Sequence, residues 1–252
     1  MTTIQAVLFD MDGVICDTER DGHRVSFNMT FKEFGFQDEW SVEQYHELLQ
    51  IGGGKERMKH YWETHGFSRP VPADQIDQLV KDMHKRKTAL YVELIKAGKL
   101  PLRPGVHRFL HEAGEAGLKR AVCTTSNEQA AAAMIETLLG DIPFDLVLAG
   151  DVVSKKKPDP EIYNLALSKL GLKPEAAFAV EDSRNGVLAA RNAGLRVVVT
   201  TNGYTEQEDV SDGDIIVTCL GDSPADRCRL RKGNVPFDGI LRLPDVLQAF
   251  SG

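Results

Sequence analysis

The 252-residue sequence predicts an α/β fold in which a parallel sheet has helices on both faces and carries an inserted all-helical domain. Three observations predict this class. Residues 6–9 form an apolar run typical of a strand buried on both faces. About eighty residues without a strand-like pattern follow. From Pro101 onward, short apolar strands alternate with helices, which indicates parallel strands joined by helical crossovers.

The end of the first strand carries two closely spaced acids. The apolar run stops at Asp10, and Asp12 and Gly13 follow. Carboxylates at i and i+2 of an extended chain point to the same side, here at the carboxyl end of the strand. Two anions so close repel each other unless a cation lies between them or one is protonated. Taken alone, these residues are explained equally well by an Asp-rich turn.

The block after the first strand is predicted to be helical. Helices are expected over residues 20–36, 42–49, 55–64 and 74–96. In the last of these, apolar residues recur at the spacing of one helix face, with Asp74 as the start signal and Gly98 as the stop. We therefore expect a helical domain over residues 19–98, inserted into a core domain made of residues 1–18 and 99–252.

The rest of the chain predicts strands and helices in alternation. Asp159 and Pro160 are a helix start, with Asp as N-cap and Pro at the first helical position, and Gly171 is the stop. Strands are expected over residues 120–123, 145–149, 177–180, 195–200 and 215–219. Further helices are expected over residues 104–117, 127–139 and 183–193 and after Pro244, with a loop over residues 221–236.

Composition limits the functional classes. A net charge of −7 argues against a general nucleic-acid or membrane-surface binder, so an anionic substrate needs local cations or a metal. The four cysteines lack C-x-x-C spacing, which favours a reduced compartment over a disulfide framework or a zinc site. No apolar run approaches membrane-spanning length. We expect a monomer in the cytoplasm, or in the plastid stroma if a transit peptide has been removed.

Four strand ends carry polar side chains, and ligands of parallel sheets bind beyond the carboxyl ends of the strands. Each group alone has an ordinary structural explanation, as a helix cap, a solvated lysine run or an acidic turn. Together they predict a phosphoryl-transfer site. Its members are Asp10 and Asp12, then Thr124, Thr125 and Ser126, then Lys157, and finally Glu181 and Asp182.

Each of these groups has a role in such a reaction. Asp10 would be the nucleophile and form an aspartyl-phosphate, while Asp12 would act as general acid and base. Thr124, Thr125 and Ser126 would bind phosphoryl oxygens, and Lys157 would offset the charge that develops in the transition state. Carboxylates are hard oxygen ligands suited to Mg²⁺. The predicted metal ligands are Asp10, Asp12, Glu181 and Asp182.

These segments resemble the four motifs of the haloacid dehalogenase (HAD) superfamily, in the family's order: Asp10–Val14, Thr124, Lys157–Pro160, and Glu181–Ser183 with Gly186. The resemblance implies a Rossmann-like core with the helical block as its cap domain. It also implies that Asp10 is the nucleophile and Asp12 the general acid/base. Mg²⁺ would be held by the side chains of Asp10 and Asp182 and the backbone carbonyl of Asp12. True dehalogenases lack the second aspartate, so Asp12 favours phosphate chemistry.

A finer resemblance is to the β-phosphoglucomutase-like branch and, within it, the CbbY-like sugar-phosphate phosphatases. It rests on residues 17–24, 51–58, 102–105, 150–160 and 203–209. It implies removal of the 1-phosphate of xylulose 1,5-bisphosphate, giving xylulose 5-phosphate. The alternatives are a phosphosugar mutase of the same branch, a receiver-type signalling module and a non-catalytic metabolite-binding relative.

Candidate substrate contacts lie in the helical block. The Gly52–Gly54 turn runs into Lys55 and Arg57, and free amides at a helix start beside two cations form a plausible anion site. A flexible turn followed by a charged helix face is the alternative. The spacing and the lack of a preceding strand exclude a nucleotide-binding P-loop. The candidate contacts are Glu19, His23, Arg24, Gly53, Gly54, Lys55, Arg57 and Lys87.

Overall fold

The structure is a computed structural model that describes residues 3–51, 53–226 and 228–251, so Gly52 of the expected anion-binding turn lies outside the described residues. The chain divides into two compact units. The α/β unit runs up to Asp17 and continues from Pro101, and the helical unit is Thr18–Leu100. From the sequence we placed the boundaries after residues 18 and 98.

The described part of the α/β unit contains one seven-stranded sheet, which confirms the predicted fold class. The strands are β1 (Ala6–Phe9), β2 (Lys119–Cys123), β3 (Leu146–Leu148), β4 (Ala177–Glu181), β5 (Arg196–Thr200), β6 (Ile215–Val217) and β7 (Leu230–Lys232). Their order is β3-β2-β1-β4-β5-β6-β7, and all neighbours are parallel except β6 and β7.

Strand β1 lies in the interior of the sheet, and every side chain in it is inaccessible to solvent. A parallel strand covered on both faces needs such a continuous apolar run. Its last residue, Phe9, is in register with Val122 of β2 and Val180 of β4. The carboxyl ends of these three strands therefore meet at Asp10.

The helices have the following bounds. In the helical unit, a π-helical segment (Thr18–His23) precedes α1 (Arg24–Glu33), α2 (Val42–Leu48), α3 (Gly54–His65) and α4 (Ile76–Lys96). In the α/β unit they are α5 (Val106–Glu115), α6 (Glu128–Leu138), α7 (Glu161–Leu170), α8 (Arg184–Asn192) and α9 (Leu243–Phe250). Among the described residues, no helix combines the length and the apolar character needed to cross a membrane.

Two predicted helix starts are displaced. Helix α4 begins at Ile76 with Gln75 as N-cap, so Asp74 does not cap it. Helix α7 begins at Glu161 with Pro160 as N-cap, so Asp159 lies one residue before the N-cap position. Its carboxylate still accepts the N–H of Glu161 at 3.1 Å. The predicted stops, by contrast, are confirmed. Gly98 and Gly171 take left-handed backbone angles, with φ of 63° and 69°, just beyond α4 and α7.

Two expectations for the C-terminal region are wrong. The segment expected to be a loop contains β7, whose Leu230 is half-buried and whose other two residues are exposed. An edge strand with this burial has no apolar pattern to reveal it. The four cysteines were expected to be reduced, but Cys219 and Cys228 form a disulfide, with Cα atoms 5.3 Å apart. The reversal of the chain between β6 and β7 brings them together.

The core of the helical unit is built around Trp40, which is fully buried against Phe27 and Phe31, with ring centroids 4.8 and 4.9 Å away. The side chain of Asn28 fixes the Trp40 backbone. Its amide nitrogen donates to the Trp40 carbonyl at 3.0 Å, and its amide oxygen accepts the Trp40 N–H at 2.9 Å.

We expect Asn28→Ala to destabilise the helical unit by about 1–3 kcal/mol, because the N–H of the buried Trp40 loses its acceptor. Both tryptophans of the chain, Trp40 and Trp62, lie in this unit, so tryptophan fluorescence during urea unfolding reports on it directly. Gln78→Ala is the matched control, since Gln78 donates to Asp82 only at the exposed surface of α4. Equal unfolding midpoints for the two variants would contradict this assignment.

Candidate active site

Two strand ends meet at the Lys157 ammonium group. Asp10 follows β1, is 8% exposed, and donates its N–H to the Val180 carbonyl of β4 at 2.9 Å. Lys157 Nζ lies 2.6 Å from Asp10 Oδ1 and 2.6 Å from Glu181 Oε1. The hydroxyl of Tyr163 also donates to Glu181 Oε1. One buried cation thus joins two carboxylates.

The turn after β2 lies against Asp12. The hydroxyl of Ser126 donates to Asp12 Oδ2, and the Thr124 hydroxyl reaches the same oxygen at 3.4 Å. The Ser126 N–H donates to Thr124 Oγ1 at 3.1 Å. Thr125 lies between them and is half-buried. The turn then enters α6, whose N-cap Asn127 accepts the N–H groups of Gln129 and Ala130.

Glycine is required at two positions of this site. Gly13 has a φ of +82°, and a Cβ there would collide with the Asp182 carboxylate and lie 2.8 Å from Asn202 Nδ2. Gly186, in the first turn of α8, leaves room for the Glu181 carboxylate, which a Cβ would overlap. Because glycine has no side chain, the backbone at these two positions can pack directly against the carboxylates of Asp182 and Glu181.

The cluster carries more negative charge than Lys157 neutralises. Burial, with smaller contributions from the carboxylates of Glu181 and Asp12, raises the pKa of Asp10 to about 7 against the opposing attraction of Lys157. Burial also raises the pKa of Asp182 well above its usual range, with Asp10 and Glu181 adding to the effect. Burial alone would lower the pKa of Lys157, but Asp10 and Glu181 hold it above its usual range.

The acidic residues fit a divalent cation. Asp10, Glu181 and Asp182 each bring a carboxylate oxygen within 4.8 Å of the others. Glu181 Oε2 and Asp12 Oδ1 are buried, and neither finds a hydrogen-bond partner among the described residues. Buried acceptors without partners are costly, and a hard cation such as Mg²⁺ prefers this kind of oxygen donor.

Three contributors to the site had no assigned role in the sequence analysis. Arg103 donates to the carbonyls of Gly13, Thr200, Thr201 and Thr218, and so ties the turn after β1 to the ends of β5 and β6. Asn202 donates to Asp182 Oδ2 at 2.7 Å. It lies two residues beyond the end of β5, so the rule of polar strand ends could have found it. Tyr163 lies on the buried face of α7, where no local pattern distinguishes it from a core residue.

In the helical unit, Arg57 is 8% exposed and its guanidinium is occupied by local contacts. It donates to the carbonyls of Leu48 and Ile51 at 2.9 and 3.3 Å and to the Tyr45 hydroxyl at 2.8 Å. The Tyr45 hydroxyl donates in turn to Glu19 at 2.7 Å. Two predicted substrate contacts, Arg57 and Glu19, are therefore linked through the Tyr45 hydroxyl by successive hydrogen bonds.

Lys87 and His23 form a second pair in this unit. Lys87 is 7% exposed, with Nζ 2.8 Å from His23 Nδ1 and 4.7 Å from the ring centroid of Phe27. Arg24 donates to the Trp40 carbonyl at 3.1 Å.

At the start of α3, Gly53 has a φ of +91° and Lys55 is exposed to solvent, with Gly54 between them. The role of all these residues of the helical unit in substrate binding stays a prediction.

Comparison with known proteins identifies relatives over most of the chain. A family model for haloacid dehalogenase-like hydrolases matches residues 4–194. The CBBY-like protein of Arabidopsis thaliana is 48% identical over 232 residues, covering 90% of this chain and 73% of that protein. The phosphorylated carbohydrates phosphatase of Thermotoga maritima is 32% identical over 218 residues, covering 85% and 90%. A crystal structure of mutant CbbY from Rhodobacter sphaeroides in complex with xylulose-(1,5)bisphosphate is similar with a TM-score of 0.71 at 38% identity, covering 87% and 96%.

We expect the metal-free protein to lose stability as the pH rises from about 4 to about 7. Asp10 keeps its proton in the folded state up to about pH 7, whereas the unfolded chain releases it near 3.8. The stabilisation is therefore complete below the lower pKa and is lost as pH rises through the upper one. Asp182 acts in the same direction. Urea unfolding with a chelator present should show a loss on the order of 2–4 kcal/mol.

The control for this pH effect is Asp10→Asn, which should remove the share of the slope that belongs to Asp10. Saturating Mg²⁺ should flatten the slope of the parent protein, because a bound cation favours the ionised carboxylates. The same slope in the variant as in the parent would show that Asp10 does not carry the raised pKa.

Proposed function

The chain belongs to the haloacid dehalogenase-like hydrolases and is a sugar-phosphate phosphatase of that family, and we propose that it removes the 1-phosphate of xylulose 1,5-bisphosphate to give xylulose 5-phosphate. The observation that carries the substrate assignment is the likeness to CbbY, whose crystal structure holds xylulose-(1,5)bisphosphate. The observation that carries the reaction is the meeting of Asp10, Asp12 and Lys157 at the carboxyl end of β1.

In the proposed reaction, a carboxylate oxygen of Asp10 attacks the phosphorus atom. The bond between phosphorus and the sugar oxygen breaks, its electron pair stays on that oxygen, and Asp12 supplies the proton. Asp12 then removes a proton from a water molecule that attacks the aspartyl-phosphate, which releases phosphate and restores Asp10. Asp12 lies two residues beyond the nucleophile, so one short segment carries both functions.

The neighbouring residues orient and neutralise the charged groups. Lys157, held between Asp10 and Glu181, offsets charge on the nucleophile and on the transferring group. Thr124, Thr125 and Ser126 are the proposed donors to phosphoryl oxygens, and the Ser126 contact to Asp12 orients the acid. Asp10, Glu181 and Asp182, with the Asp12 backbone carbonyl, would hold Mg²⁺, which supplies charge neutralisation for the attack of one anion on another.

We propose that the helical unit recognises the rest of the substrate. The exposed Lys55 and the amides that begin α3 after Gly53 and Gly54 are suited to an anion such as a second phosphate. Arg57 hydrogen-bonds the carbonyls that precede this turn, so its proposed contribution includes holding the helix start in place. Glu19, His23, Arg24 and Lys87 are the other proposed contacts.

We expect Asp10→Asn to reduce turnover by about a thousandfold or more while the fold is retained, because an amide cannot act as the nucleophile. Phosphate release from xylulose 1,5-bisphosphate with Mg²⁺ present measures the loss, and circular dichroism checks the fold. Asp209→Asn is a matched control, since Asp209 is an exposed acid that pairs with Arg184. Substantial Mg²⁺-dependent phosphate release by Asp10→Asn would contradict the mechanism.

We expect a preference for five-carbon bisphosphates, with kcat/KM for xylulose 1,5-bisphosphate at least about tenfold above that for simple sugar monophosphates, since a second phosphate adds a charge-assisted contact. A panel of phosphorylated sugars assayed for free phosphate tests this. Lys55→Ala should reduce the ratio of the two kcat/KM values, because it should raise KM for bisphosphates more than KM for monophosphates.

Equal rates across the panel would contradict the substrate assignment but leave the phosphatase reaction standing. Product analysis separates the mutase alternative from the phosphatase. An isomeric sugar phosphate without net phosphate release would show that the phosphoryl group returns to the substrate.

A further inference from the structure

We propose that His107, His111 and Asp141 form a second metal site, suited to a first-row transition cation such as Zn²⁺. The three side chains lie in the α/β unit and take no part in the acidic cluster at the strand ends. Their donor atoms all lie within 4.8 Å of one another.

The two imidazoles are placed by the amphipathic pattern of α5. The buried face of this helix consists of Val106, Phe109, Leu110 and Ala113. His107 and His111 are one turn apart at i and i+4, with ring centroids 4.7 Å apart, and their side chains are 43% and 50% exposed. Residues at this spacing lie above one another on a helix, so both rings can reach the same ion.

The carboxylate comes from the turn that follows α6. His107 Nε2 and His111 Nε2 lie 2.9 and 3.2 Å from the same atom, Asp141 Oδ2. Leu139 and Ile142, which flank the exposed pair Gly140 and Asp141, are almost completely buried, and the Ile142 N–H donates to the Leu139 carbonyl at 2.9 Å. Buried residues on both sides hold the carboxylate in front of the two rings.

The donor set selects the class of metal. Imidazole suits Zn²⁺, Co²⁺, Ni²⁺ and Cu²⁺, whereas Mg²⁺ prefers oxygen donors. With metal–ligand bonds of about 2.0–2.1 Å, tetrahedral donor atoms lie about 3.3 Å apart, and the nitrogen–oxygen separations already approach that value. Three protein ligands leave the fourth position of a tetrahedron for water, which the exposure of all three side chains permits.

Metal binding would exchange two hydrogen bonds for coordination. A ring whose Nε2 donates to Asp141 carries a hydrogen on that nitrogen, whereas a ring that binds the metal through Nε2 would carry its hydrogen on Nδ1. The ion would then link α5 to the turn after α6.

The test uses the full-length, untagged protein, freed of metal with a chelator and then saturated with Mg²⁺ to occupy the acidic cluster. Titration with ZnCl₂ by calorimetry should show one further equivalent of binding. The variants His107→Gln, His111→Gln and Asp141→Asn should each weaken this binding at least about tenfold, since each removes one of three ligands. His65→Gln, an exposed histidine in the helical unit, is the control and should bind as the parent does.

Titration with CoCl₂ gives a second readout, because tetrahedral Co²⁺ absorbs visible light far more strongly than the hydrated ion. This band should be present in the parent and the control and lost in the three variants. Phosphatase activity with Mg²⁺ should be unchanged in all four variants, which separates failure of this site from failure of the proposed function. No further equivalent of Zn²⁺ in the parent, or equal affinity in the three variants, would overturn the proposal.

Discussion

Buried like charge at the end of β1 is the constraint on which the site depends. Asp10, Glu181 and Asp182 lie close together in the protein interior, and Lys157 is the cation in direct contact with two of them. Burial and mutual repulsion raise the pKa values of Asp10 and Asp182. Such an arrangement costs stability in the absence of a further cation, and the same unmet charge is what attracts one. This cost in stability is consistent with the proposal that the cluster binds a metal ion and a phosphate group.

The sheet brings these charges together by simple means. Because β1 lies between β2 and β4 in parallel register, residues distant in sequence meet at one edge. Positive φ at Gly13 lets the chain turn at once, so that Asp12 comes to face the turn after β2. Arg103 then ties that turn to the ends of β5 and β6 through four backbone carbonyls. Asp10, the proposed nucleophile, therefore lies at the end of a strand that is paired on both sides.

The cations of the helical unit illustrate how charge and structure overlap. Arg57 and Lys87 were selected as substrate contacts for their charge, yet both are mostly buried and hydrogen-bonded within the unit. A buried guanidinium on backbone carbonyls stabilises local structure whether or not it also binds an anion. Lys55 differs from these two residues, because it is exposed to solvent at the start of α3. The charge of a residue in the sequence suggests that it could bind the substrate, and its burial in the structure shows whether it also stabilises the helical unit.

By itself the sequence determined the α/β class, the inserted helical block, the strand ends that carry Asp10, Thr124 and Glu181, and the later segment that carries Lys157. Burial on two faces demands a continuous apolar run, and the polar residue that ends each run is visible in the one-dimensional pattern. Only the tertiary structure decided that Tyr163, Asn202 and Arg103 serve the site, that Cys219 joins Cys228, and that His107 and His111 share one oxygen of Asp141. These contacts join residues that local periodicity does not relate, because they depend on which elements pack side by side and on where each turn directs its side chains.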